Sequence, residues 1–318
     1  MNRVVQNDNH FRKNENQHKF MSILSLRNVV KRYHNHTAVN DVTFDIPNGS
    51  IFGLLGPNGA GKTSLIRIIT GITGADSGEI VLDGSVVTKM NVADIGYLPE
   101  ERGLYKKMKV GEQLLYLAQL KEMSLKEAKD AINYWFEKFE TQDWWNKKIE
   151  ELSKGMQQKI QFIATVMHDP KLIILDEPFT GLDPLNTNLI KDEIYNLNQQ
   201  GKSIIFSTHR MEQVEEICRD IVLINQGKVI LEGKVDDVKE SFKQNKYSIS
   251  YDGQFPSRLD NSHFNLISNQ DNELIIQAKH GYDSNVLLGD LIKSGVHILS
   301  FKEILPSLNE IFIQKVKS

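Results

Sequence analysis

Residues Gly56 to Thr63 read GPNGAGKT and match the pattern G-x-x-x-x-G-K-[ST]. In this pattern, glycines let the backbone wrap so that its N–H groups point at phosphate oxygens, and the next helix adds its positive end. The lysine reaches the β- and γ-phosphates of a nucleoside triphosphate, and the neighbouring hydroxyl holds Mg²⁺. We therefore expect Lys62 to contact phosphate and Thr63 to ligate Mg²⁺. The alternative is a glycine-rich turn that binds nothing.

The flanks of this loop are those that the pattern requires. Residues 51–55 form a short apolar run that predicts a buried strand, and residues 64–69 have a helical pattern that stops near Gly71. The loop therefore connects a strand to a helix. The expected nucleotide-binding residues are Gly56, Pro57, Asn58, Gly59, Ala60, Gly61, Lys62, Thr63 and Ser64.

Two carboxylates follow a second apolar run. Residues 172–175 predict a buried strand, and Asp176 and Glu177 come directly after it. In a nucleoside triphosphatase, the first acid completes the Mg²⁺ shell and the second polarises water in line with the γ-phosphate. The alternative is a pair of ordinary acids at a strand end. Residues 203–207 predict the next parallel strand, and His209 lies at its carboxyl end, where we expect a polar contact beside the γ-phosphate.

Three further residues have two interpretations each, and a fourth marks the start of a helix. Ser153 and Gly155 place a hydroxyl and a bare backbone N–H at a helix N-terminus, which suits either an anion or an ordinary helix cap. Asp183 precedes a proline and predicts the start of another helix. Tyr33 either stacks on a purine or is a half-exposed strand residue.

Composition limits the classes of function. The chain has 318 residues with a formal net charge of −3, so no basic excess recruits nucleic acid. No apolar run approaches the roughly 18 residues that cross a bilayer, and no secretory signal is evident, so any membrane-spanning part is expected in a separate subunit. The single Cys218 excludes an intrachain disulfide and suits a reducing cytoplasm.

Patterning divides the chain into three regions. Residues 1–21 are polar and predict a disordered tail, with Met21 as an alternative start to Met1. Residues 22–240 predict one α/β domain, in which antiparallel strands come first and a helical insert covers about residues 104–165. Residues 241–318 predict a small α+β accessory domain without a catalytic constellation.

In this order, the motifs resemble those of ABC transporter ATP-binding subunits over roughly residues 22–240. GPNGAGKT is similar to the Walker A motif, and residues 172–177 are similar to Walker B with its catalytic Glu177. Residues 152–158 resemble the LSGGQ sequence, although Lys154 replaces a glycine and Met156 precedes the glutamine. Residues 181–184 resemble the D-loop, which contains Asp183, and His209 resembles the H-loop residue.

The resemblance implies a P-loop ATPase fold that binds ATP and Mg²⁺, with Tyr33 stacked on adenine. It also implies a second nucleotide-binding subunit, placed head to tail, whose Ser153 and Gly155 complete each site. A transmembrane permease subunit would then locate the chain at the cytoplasmic face of the cell membrane.

One position departs from the family. Glu100 stands where the family usually has a glutamine that touches Mg²⁺ and links the site to the membrane subunit. A carboxylate also ligates Mg²⁺, so Glu100 is a third candidate metal ligand. The segments GYLPEERGLY and PSLNEIFI resemble a bacterial exporter subgroup that includes sodium-efflux ATPases. Two alternatives stay open: a soluble ABC ATPase that acts on ribosomes or DNA, and a non-catalytic nucleotide-binding regulator.

Overall fold

The structure is a computed structural model that describes residues 22–87, 93–101, 103–253, 263–279 and 283–317. The predicted tail and Met21 lie outside the described residues. The chain forms two compact units, of which the first ends at Lys234 and the second begins at Val235.

The first unit contains ten strands and six α-helices among its described residues. In chain order these are β1 (Ser22–Tyr33), β2 (His36–Pro47), β3 (Ile51–Leu55), α1 (Lys62–Ile69), β4 (Ser77–Leu82), β5 (Ser85–Val86), β6 (Ile95–Leu98), α2 (Val110–Leu120), α3 (Leu125–Lys138), α4 (Lys154–Val166), β7 (Leu172–Asp176), α5 (Pro184–Gln199), β8 (Ser203–Thr208), α6 (Met211–Ile217), β9 (Asp220–Asn225) and β10 (Lys228–Lys234).

These strands form two sheets. The antiparallel sheet has the order β2-β1-β4-β5, and the six-stranded sheet has the order β10-β9-β3-β8-β7-β6. Strands β3, β6, β7, β8 and β9 run parallel, and β10 forms an antiparallel hairpin with β9. A turn at Asn48-Gly49 carries the chain from one sheet to the other.

The parallel strands bring distant polar residues to one edge. Every residue of β3, β7 and β8 is buried, as expected for central strands covered on both faces. In the observed register Leu55 is opposite Thr208, and Asp176 is opposite Ser207. The carboxyl ends of these strands therefore meet beside the loop that follows β3.

Helices α2 to α4 form the predicted helical region. Ser124 and Glu127 make a capping box at the start of α3, because each side chain accepts the other residue's backbone N–H. The aromatic residues of α3 belong to the core, since the buried Trp135 lies edge-on to Phe162 of α4 with 6.3 Å between ring centroids. Aromatic burial thus fixes α4 against the rest of this region.

The second unit is a small α+β domain, which confirms that part of the predicted fold class. Its elements are α7 (Val235–Ser241), β11 (Lys246–Asp252), β12 (Phe264–Gln270), β13 (Glu273–Ala278), α8 (Ser284–Lys293), β14 (His297–Ile304) and α9 (Leu308–Lys317). The sheet order is β12-β13-β11-β14, and a cluster of buried apolar residues that includes Ile249, Leu274 and Leu287 fills its core. The sequence pattern predicts strands at residues 247–251, 274–278 and 298–301 and helices at residues 285–294 and from 307, and all are present, whereas β12 was not predicted.

Candidate nucleotide-binding site

The phosphate loop joins β3 to α1 and depends on glycine at two close approaches. Gly61 has φ +111°, and a Cβ there would lie 2.2 Å from the carbonyl oxygen of Ala38. Gly56 would place a Cβ 2.2 Å from the carbonyl oxygen of Ile224. Real Cβ atoms do not approach carbonyl oxygens so closely, so the neighbouring strands force these positions to be glycine. Helix α1 begins at Lys62, slightly earlier than the sequence predicted.

Lys62 is buried at the start of α1. Its Nζ donates to the carbonyl oxygens of Gly56 at 2.8 Å and Pro57 at 3.2 Å. An ammonium group has three N–H donors, so one is left for a ligand. Burial lowers the pKa of Lys62, while the charges of Asp176, Glu177 and Glu100 act in the opposite direction. Lys62 therefore lies near three acidic groups, and the loop backbone holds its ammonium group in place.

A cleft of about 470 Å³ opens above this lysine. Its volume lies within the range of small-molecule sites. Its walls combine loop backbone, an aromatic ring and three carboxylates. The lining residues are Tyr33, His36, Ala38, Asn58, Gly59, Ala60, Gly61, Lys62, Thr63, Ser64, Glu100, Asp176 and Glu177. The structure thus gathers residues 58–64 of the loop, Tyr33 and the three acidic candidates from four separate parts of the sequence. Gly56 and Pro57 do not line the cleft and instead accept the hydrogen bonds of Lys62.

Asp176 is suited to a cation. It ends β7, and the Ser207 hydroxyl donates to its Oδ1 at 2.7 Å. Its Oδ2 is buried and has no hydrogen-bond partner among the described residues. Burial raises the pKa of Asp176, assisted by the charges of Glu100 and Glu177 and opposed by the Ser207 bond. An unpaired buried oxygen costs free energy unless a cation or donor meets it, so the site fits Mg²⁺.

Glu177 is held rigidly beside Asp176. Its Oε1 accepts from the His209 backbone N–H at 2.8 Å and contacts His209 Nδ1 at 2.6 Å. Its Oε2 accepts from the Thr208 hydroxyl at 3.1 Å. The backbone of Glu177 has φ +52°. Residues other than glycine adopt this conformation at a cost in free energy, and such residues cluster at functional sites. Three contacts therefore fix the orientation of this carboxylate.

The structure places the remaining predicted residues away from the cleft wall. His209 contacts Glu177 and does not line the cleft. Ser153 caps α4, since its hydroxyl accepts from the Met156 N–H at 3.3 Å, and Asp183 caps α5 by accepting from the Asn186 N–H at 2.9 Å. Gly155 lies in the first turn of α4. Within one copy of the chain, these residues act as helix starts.

Sequence reasoning missed four residues of the site. His36 and Ala38 line the cleft from β2, and Ser207 and Thr208 donate to the two carboxylates. Two hydroxyl residues at the carboxyl end of a buried strand were the available signal for the second pair. The sequence pattern predicts His36 to be a solvated loop residue, because it makes no recognisable metal-binding spacing with His10, His18 or His34.

The chain is similar to known proteins over both units. The family described as "ABC transporter" matches residues 39–180, and the family described as "ATP-binding protein DrrA1-3-like, C-terminal domain" matches residues 233–316. The uncharacterized ABC transporter ATP-binding protein YhaQ of Bacillus subtilis (strain 168) is 43% identical over 296 residues, which cover 92% of this chain and 98% of that protein.

Two further similarities each cover just over two thirds of the chain. The lipopolysaccharide export system ATP-binding protein LptB of Haemophilus influenzae is 30% identical over 224 residues, which cover 69% of this chain and 93% of that protein. A solved structure described as the ATP binding subunit of an ABC transporter superposes with a TM-score of 0.65 at 28% identity and covers 70% of this chain and 93% of the other.

The chain belongs to the family of ABC transporter ATP-binding proteins. It is an ATPase, the ATP-binding and ATP-hydrolysing subunit of an ABC-type membrane transporter, and its first unit has the P-loop ATPase fold. The comparisons support this function rather than a soluble ATPase that acts on ribosomes or DNA. Within the ranges that the structure describes, no helix is both long enough and apolar enough to cross a bilayer.

Proposed function

We propose that the cleft binds ATP with Mg²⁺, and that the unpaired Oδ2 of Asp176 is the observation that carries this assignment. Lys62 and the loop N–H groups hold the phosphates, and Tyr33 at the cleft wall stacks on adenine. Thr63, Asp176 and Glu100 hold Mg²⁺, which supplies positive charge to the phosphate oxygens when bound. A net excess of carboxylates over the single lysine explains why the site needs a cation.

Glu177 is the general base in this proposal. Its carboxylate lines the cleft next to Asp176, where it can accept a proton from a water that attacks the γ-phosphate. The contacts from Thr208 and His209 fix the direction of the two oxygens. His209 therefore supports catalysis by orienting Glu177 and acts on hydrolysis through that residue.

A second copy of the chain completes each site. Ser153 and Asp183 are exposed at the N-termini of α4 and α5, outside the cleft of their own copy. Helix N-termini carry partial positive charge and suit a triphosphate held from the opposite side. In a head-to-tail dimer, Ser153 and Gly155 of one copy would therefore contact the nucleotide in the cleft of the other, and ATP would hold the two copies together.

The membrane partner is a separate permease, which places the chain at the cytoplasmic face of the cell membrane. The transporter works as an exporter. The support is the resemblance of the Glu100 segment and the chain's end to an exporter subgroup, together with a relative that is named for lipopolysaccharide export. The cargo contacts belong to the permease.

The nucleotide part of the proposal is tested with Glu177→Gln. This change removes the proton acceptor but keeps shape, so we expect ATP binding to persist, phosphate release to fall by roughly 10²–10⁴-fold, and an ATP-dependent dimer to accumulate on a sizing column. The matched control is Glu216→Gln on the exposed surface of α6, which should behave as wild type. Near-normal phosphate release in Glu177→Gln would remove Glu177 as the base.

The membrane part is tested by cross-linking in cells followed by purification in detergent. We expect a multi-span membrane protein to co-purify with the chain, and vesicles that contain both to move cargo away from the ATP-exposed side. Recovery with ribosomes or DNA in place of a membrane protein would contradict the proposal.

A further inference from the structure

Helix α4 and strand β6 are in direct contact along their lengths. A Cβ on Gly96 of β6 would lie 2.3 Å from the carbonyl oxygen of Thr165, so the helix backbone touches the strand at a point where a side chain cannot fit. One turn further, His168 Nε2 lies 3.3 Å from the carbonyl oxygen of Ile95. Helix α4 and the turn after it are therefore packed tightly against β6.

Gln161 extends this contact into the segment that carries Glu100. Its side chain is buried, with 5% exposed, and its Nε2 donates to the carbonyl oxygen of Pro99 at 3.1 Å. The same Nε2 is 3.5 Å from the carbonyl oxygen of Glu101, at the limit of a hydrogen bond. The bonded carbonyls flank Glu100 on both sides, so one amide group holds the backbone from which the Glu100 carboxylate projects into the cleft.

The oxygen atom of the Gln161 amide indicates that the Nε2 donor is the atom that matters at this position. Gln161 Oε1 is buried and has no partner among the residues that the structure describes. A leucine of similar size would fill the space without an unpaired oxygen, whose burial costs free energy. What glutamine adds over leucine at this position is the bond to Pro99.

We propose that Gln161 is a positioning residue for the metal site: it holds the backbone around Glu100 so that this carboxylate meets the cation beside Asp176. The inference rests on the proposed function, in which Glu100 is a metal ligand. Partners that orient a metal ligand through hydrogen bonds typically change affinity by about 10–100-fold when they are lost. Ser153 lies on the same helix roughly 12 Å away, at about 1.5 Å per residue, so a second copy that moves this helix would also move Glu100.

The test measures Mn²⁺ binding by electron paramagnetic resonance, with a slowly hydrolysed ATP analogue bound to the full chain. We expect Gln161→Leu to weaken Mn²⁺ binding about tenfold while leaving metal-free analogue binding unchanged. Gln161→Met, which keeps the length of the side chain, should give the same loss. Thr165→Val is the matched control, because Thr165 is buried on the same helix and its hydroxyl donates to the carbonyl oxygen of Gln161 within α4. It should bind Mn²⁺ as wild type.

A second pair of variants shows whether Gln161 acts through Glu100. Glu100→Ala alone should weaken Mn²⁺ binding, and adding Gln161→Leu to Glu100→Ala should cause no further loss. A further tenfold loss in the double variant, or an equal loss in Thr165→Val, would overturn the positioning role. If Glu100→Ala leaves Mn²⁺ binding unchanged, the assignment of Glu100 as a ligand fails and the inference fails with it, while retained analogue binding shows that the nucleotide site stands.

Discussion

Removing the His209 ring tests whether the contacts around Glu177 matter for hydrolysis. His209→Ala deletes the 2.6 Å contact between Nδ1 and Oε1, but it keeps the backbone N–H that donates to the same oxygen. Thr208 still donates to Oε2. The carboxylate therefore loses one of its three contacts and stays in place with more freedom to rotate.

The size of the effect follows from the strength of such a contact. A hydrogen bond to a charged group contributes about 1.5–3 kcal/mol. The His209 side chain is 48% exposed, so solvent screening favours the lower part of this range, about 1.5–2 kcal/mol. At 1.36 kcal/mol per tenfold change, we expect kcat to fall roughly 10- to 30-fold, which is less than the loss expected for Glu177→Gln.

Steady-state phosphate release at saturating ATP and Mg²⁺ measures this change. His209→Asn is the control, because its side-chain amide can donate from nearly the position of Nδ1 and should keep most of the rate. KM for ATP should change little in either variant, since His209 does not line the cleft. The reasoning is refuted if His209→Ala lowers the rate further when Glu177 is already glutamine, because His209 would then act independently of Glu177.

Three further predictions concern the loop and the fold. Gly61→Ala should abolish binding of a fluorescent ATP analogue, because its Cβ would clash with a backbone oxygen, whereas Gly84→Ala, at φ +76° with no atom within 4 Å, should bind normally. Lys62→Ala should weaken ATP binding or turnover severely, and unchanged kinetics would remove Lys62 from the site. Burial lowers the pKa of His168 from 6.5 to about 4, so the unfolded chain binds more protons between these values and stability falls as pH drops through that window. Urea unfolding of His168→Phe should lose this dependence, which is worth at most about 3–4 kcal/mol, and an unaltered pH slope would contradict the assignment.

Local patterns were readable in the sequence because strand, loop and helix are contiguous there. The phosphate loop and the acids at the end of β7 needed only neighbouring residues. The acids' partners were harder to predict, because the contact between Thr208 and Glu177 depends on the register of β8 against β7. No sequence pattern within either strand states that register.

The missed elements have physical reasons. Strand β12 reads FNLISNQ and leaves most of its side chains exposed, so it lacks the clean alternation of a half-buried strand. Gln161 was passed over because a glutamine within a helix usually faces solvent. Only the approach of α4 to β6 shows that its amide is buried and bonded to Pro99.

The most direct test of the central claim is a crystal structure of Glu177→Gln with ATP and Mg²⁺. The account predicts two copies head to tail, with Lys62 against the terminal phosphates and Ser153 of the second copy on their opposite side. Nucleotide bound away from Lys62, or a pair of copies that leaves Ser153 facing solvent, would contradict it.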